Sequence, residues 1–132
     1  MKHIRKFNEG IKFAGPTDEG VIGKKIWGSD IGDEIREIFQ EFYDLIYERF
    51  TEVRFSPTGN RIAIQFAYNS IFNNVPIDKV GEVMIKTWTE LDLAIKKFQN
   101  LCSCKLVHIE TSSDEEIYSI NWQVRLFFDK II

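Results

Sequence analysis

The chain has only two cysteines in 132 residues, Cys102 and Cys104, with a single residue between them. A strand holds two such side chains in parallel, so they do not bridge easily. No disulfide framework is expected, and the compartment is expected to be reducing. No apolar run approaches the roughly 18 residues of a membrane span, which predicts that a membrane is not a partner. The start MKHIRKFNEG has charges but no apolar stretch after them, so it does not read as a signal peptide. These absences point to a cytoplasmic protein. Glycine is scarce beyond residue 28: five of the eight (Gly10, Gly15, Gly20, Gly23, Gly28) precede that point, together with Pro16. That density predicts an extended arm over residues 1–28, with no long regular element. GVIGKKIWG is its candidate edge strand, anchored by Trp27.

What is present is an ordinary globular mixture. Hydrophobic residues make up 44% and charged residues 28%, and 11 phenylalanines promise a core filled with large rings. The length suits one domain, expected over residues 29–132. Net charge is −3 but unevenly spread. Residues 1–28 carry six basic side chains against three acidic, and the remainder carries 11 against 17. An arm with three interspersed acids is only weakly basic, and it would suit nucleic acid or the acidic body of its own chain.

From Asp30 the apolar residues recur at three and four. Ile31, Ile35, Ile38, Phe39, Phe42, Leu45, Ile46 and Phe50 describe one amphipathic helix to about Phe50, with Asp30 as its cap. TEVRFS and NRIAIQFAYN then alternate on either side of SPTGN, a hairpin. VPIDKVGEVMIKTWTELDLAIKKFQNLC predicts a second helix, capped by Asp78, with Val80, Met84, Trp88, Leu91, Ile95, Phe98 and Leu101 as its stripe. CKLVHIET and IYSINWQVRLFF flank SSDEE as a second hairpin. The order helix, hairpin, helix, hairpin predicts an α+β domain: a four-stranded antiparallel sheet with both helices on its apolar face.

The opening MKHIRKFNEG resembles the start of many small reading frames of tailed bacteriophages. Those begin Met-Lys, then a hydrophobic or basic pair, then Lys-Phe-Asn-Glu. The resemblance covers about ten residues by motif and the rest by element order. It implies a phage or phage-derived accessory protein in the host cytoplasm, and it carries over no catalytic residue.

Chemistry-bearing clusters are few. Cys102, Cys104 and His108 suit zinc by type, and positions 104 and 108 of a regular strand share a face, but a fourth ligand is missing. Glu34, Glu37, Glu41, Asp44 and Glu48 make a carboxylate ridge that reads as a solvated helix face. Neither His3 nor His108 has a nucleophile elbow nearby, and GVIGKK and GSDIG lack phosphate-loop spacing. No catalytic residue, metal or cofactor is therefore expected.

That leaves the polar face of the sheet. In NRIAIQFAYN, Ile62, Ile64, Phe66 and Tyr68 point one way and Arg61, Ala63, Gln65 and Ala67 the other. The full polar set is expected to comprise Glu52, Arg54, Arg61, Ala63, Gln65, Ala67, His108, Asn121, Gln123 and Arg125, with Leu106 its one large apolar member. Arg54, Arg61, Gln65, His108, Asn121, Gln123 and Arg125 are the candidate interaction residues. Single-strand binding needs aromatic platforms on such a face, and the aromatic rings are expected to point inward. The expectation is a non-catalytic module that binds a protein partner or a second copy. Nucleic acid held by the arginines and the basic arm is the disfavoured alternative.

Overall fold

The computed structural model describes the backbone of residues 11–14, 17–46, 48–68, 75–116 and 119–131, and the side chains of 21–46, 51–67, 75–112 and 123–131. Its strands are β1 (Ile11–Ala14), β2 (Glu48–Phe55), β3 (Arg61–Tyr68), β4 (Cys104–Glu116) and β5 (Ser119–Lys130). They form one sheet in the order β1-β2-β3-β5-β4. The two hairpins β2–β3 and β4–β5 join through β3 and β5 into four antiparallel strands, as the alternation predicts. Helices α1 (Thr17–Trp27), α2 (Ile31–Ile38), α3 (Gln40–Ile46) and α4 (Val80–Cys102) complete the α+β fold. The buried cluster unites Trp27 and side chains of α2, α3 and α4 with Val53, Ile62, Ile64, Phe66, Val124, Leu126 and Phe128 of the sheet.

The N-terminal segment departs from the extended arm in a specific way. The edge strand forms at Ile11–Ala14, parallel to β2, while GVIGKKIW lies in helix α1 and the final Gly28 follows its end. A Cβ on Gly23 would stand 2.0 Å from Phe55 Cγ, so this glycine is where the helix lets a core ring approach. Trp27 then closes the β2–β3 turn, donating its indole N–H to Gly59 O at 2.7 Å.

The helix expected to reach Phe50 breaks at Phe39, whose φ of −93° and ψ of 9° separate α2 from α3. Strand β2 has already begun at Glu48. Backbone hydrogen bonds continue through the break, from Phe39 N–H to Ile35 O and from Tyr43 N–H to Phe39 O. The bend lets Phe39, Phe42 and Tyr43 each pack on Phe66, with ring centroids 5.3–5.4 Å apart. Arg36 is buried beside this cluster, its guanidinium 4.5 Å from the Tyr43 ring centroid.

Neither aspartate caps as expected. Asp30 makes no side-chain cap bond, and Asp78 sits inside a 3-10 turn, Ile77–Lys79, ahead of α4. The α4 stripe also divides. Leu91, Ile95 and Phe98 are buried with Ala94 and Cys102, whereas Met84, Trp88 and Leu101 are exposed by 41%, 41% and 65%. Apart from Thr87, the buried residues of this 23-residue helix run from Leu91 to Cys102, so its first turns overhang the packed core. The Trp122 side chain, expected inward, lies outside the described residues.

Candidate functional site

Strand alternation and register place Arg54, Arg61, Gln65, His108, Gln123 and Arg125 on one sheet face. Arg54 is level with Ala63, Gln65 with Arg125, and Arg125 with Glu110. Asn121 pairs through its backbone with Asp114, two positions along β5 from Gln123, and its side chain lies outside the described residues.

The side chains form a connected polar network. Arg125 donates from Nε and Nη2 to Gln65 Oε1 at 2.9 and 2.6 Å, and its Nη1 lies 3.6 Å from Glu110 Oε2. Gln65 Nε2 donates onward to Gln123 Oε1 at 3.2 Å. His108 Nε2 is 3.5 Å from Glu110 Oε1. A shallow cleft of about 60 Å³ opens between Gln65, Glu110, Thr111, Ser112, Gln123 and Arg125. At the ends of the face, Arg54 pairs with Glu52 at 2.8 Å, and Arg61 grips Asp129 with two hydrogen bonds of 2.5 and 3.1 Å. That bidentate bond raises the Arg61 pKa and lowers that of Asp129, since it favours both charged forms.

A bulge between Leu106 and His108 corrects the expected β4 register. It inserts Val107, so Leu106 lines up with Phe128 on the core face while His108 lines up with Phe127 on the polar face. Leu106 accordingly packs against the core. Phe127 was missing from the expected set, and this face is not ring-free: the His108 and Phe127 rings lie 5.4 Å apart. Parity along β5 carries the signal, because Phe127 follows Gln123 and Arg125 at odd positions.

The same bulge separates the zinc candidates. Cys104 faces the core, opposite to His108, and both thiols are buried. Burial pushes Cys102 up to about 12, helped by its hydrogen bond to Glu34 Oε2 at 3.2 Å. Burial likewise raises Cys104 to about 12. Among the described residues no cluster of His, Cys, Asp or Glu is arranged to hold a metal. The carboxylate ridge is broken as well, with Asp44 accepting from Gln40 Nε2 at 2.7 Å in α3 and Glu48 already in β2.

A second surface escaped the sequence reading. The overhang of α4 leaves an apolar groove of about 590 Å³ along Gly81, Met84, Ile85, Trp88, Thr89 and Asp92. Its sequence signal is Ile85, which is 70% exposed and falls outside the expected stripe.

No family model, curated protein or solved structure matches this chain. Fold and surface define its class: a helix-on-sheet α+β domain whose other sheet face, among the described residues, is polar. Among the described residues, no helix is long and apolar enough to cross a membrane.

Proposed function

We propose that this chain is a non-catalytic protein-interaction module, an accessory protein of a tailed bacteriophage, that docks a protein partner on its polar sheet face. One observation carries the reading: the arginines of that face are already matched by Glu52, Asp129, Gln65 and Glu110 of the same sheet. Among the described side chains, and with Lys105 included, four basic groups stand against three acidic ones, and the His108–Phe127 pair and the small Ala63 and Ala67 lie between them. Mixed polar groups around a ring suit a protein surface. Phosphate binding rewards excess cation and steep salt dependence, which these paired arginines do not supply. The reading calls for no cofactor.

Affinity capture from phage-infected host cells tests it, comparing the native chain with Ala63→Arg. The expected outcome is a partner retained by the native chain and lost by the variant, whose fold is checked by circular dichroism. Micromolar, salt-steep binding of single-stranded or duplex DNA in an anisotropy titration overturns the reading in favour of nucleic acid.

A further inference from the structure

Among the described residues, the 13-residue strand β4 is the last strand of the sheet and is hydrogen-bonded to β5 alone. Its sequence, CKLVHIETSSDEE, contains no proline or glycine. Such edges are usually blunted, covered or paired. On this edge Val107 and Ile109 are 42% and 46% exposed. From His108 to Glu116 the pairing with β5 is unbroken, while the bulge at Val107 limits the regular part of a pairing centred on Ile109 to the positions next to it.

The strand is also polarised in charge. Lys105 and His108 occupy its first half, and Glu110, Asp114, Glu115 and Glu116 its second. A second copy laid antiparallel about Ile109 sets His108 of each strand against Glu110 of the other, whereas a parallel copy in register sets acid against acid. With the two-fold axis at Ile109, that residue meets its own counterpart on the helix-bearing side. On the polar side, His108 of each copy stands opposite Glu110 of the other. Both contacts are self-complementary, as a two-fold interface requires.

Helix α4 flanks the same edge. The Leu106 N–H donates to Gln99 Oε1 at 2.8 Å, which places the Gln99 face of the helix over β4. Residues seven apart nearly share a helix face, so Asp92 and Ile85 lie on that side, with Trp88 beside them. That places part of the lining of the apolar groove, Ile85, Trp88 and Asp92, on the β4 side of the helix.

We propose that β4 pairs antiparallel with β4 of a second copy about a two-fold axis at Ile109, joining two sheets into one and covering the apolar flank of α4. The edge is distinct from the polar face, so this inference stands apart from the docking reading. Sedimentation velocity of the full chain tests it. The expected result is a concentration-dependent dimer, weakened about tenfold or more in Ile109→Lys, which places a charge at the axis. Ile109→Cys is expected to give a disulfide-linked dimer under mild oxidation faster than Thr111→Cys, because only position 109 meets itself. The buried native thiols do not compete. A native chain that stays monomeric up to its solubility limit overturns the proposal, as does a dimer in which Ile109→Cys fails to cross-link. Should Ile109→Lys unfold, the cross-linking comparison decides. Loss of dimer with partner capture intact sinks only this inference, and the reverse sinks only the docking reading.

Discussion

Cys102 and Cys104 follow the helix-bearing side of the fold, and their chemistry follows from that placement. With both thiols raised from 9.0 to about 12, the thiolate population near neutral pH falls by roughly a thousandfold, so native-state alkylation is expected to be slower by a similar factor. Timed labelling with and without denaturant checks this, and comparable rates in the two states refute it. The thiols keep protons that the unfolded chain releases, so stability declines as pH climbs from 9.0 towards about 12. Asp129 behaves oppositely. Arg61 depresses its pKa, so its contribution is present above the unfolded carboxylate value of about 3.9 and is lost as pH falls through the folded value. Thermal melts of Asp129→Asn are expected to lie below the native chain at pH 7 and to converge with it in strong acid. A gap that persists in acid rules out this linkage. None of these partners is near in sequence: Arg61 and Asp129 are 68 residues apart.

At the level of elements, the first 28 residues are the least legible, because a high density of glycine reads as a breaker of regular structure. Gly23 instead admits Phe55 into α1, and Gly59, at φ +75°, turns the β2–β3 hairpin beneath the same helix. Gly23→Ala is expected to destabilise by about 1–3 kcal/mol through overpacking, measured by denaturant melts with an unchanged m-value. Trp27→Phe keeps most of the ring but leaves the carbonyl of Gly59 without its donor, a loss of about 1–3 kcal/mol in the same assay. A variant as stable as the native chain, in either case, removes the contact from the account. The hairpins were legible because alternation is local: Ile62, Ile64 and Phe66 are fully buried as their parity requires. The break at Phe39 was not legible, because a stripe at three and four fits one bent helical pair as well as one straight helix.

Across the whole molecule, burial is concentrated where α2, α3 and the second half of α4 meet the sheet. Phe98 is fully buried between Trp27, Phe39 and Phe128, and Phe98→Ala is expected to cost about 3–5 kcal/mol. Ile85→Ala, on the overhang, is expected to leave monomer stability within about 0.5 kcal/mol. Equal losses from the two would mean that the overhang belongs to the core. Six of the seven residues picked from the sequence do share the polar face, because period-two alternation assigns faces without knowledge of neighbours. What alternation leaves open is which charges meet, where a bulge shifts parity and which turns of a helix lie clear of the core. The sequence by itself determined the two hairpins, the helical segment ahead of each, and the inward side of β2, β3 and β5, since these depend on residues a few positions apart. Only the tertiary structure decided that the arginines are matched by acids and amides, that Phe127 joins His108, and that, among the described residues, β4 ends the sheet and the first half of α4 is exposed. Those outcomes depend on distances between segments far apart in the chain, which local periodicity does not encode.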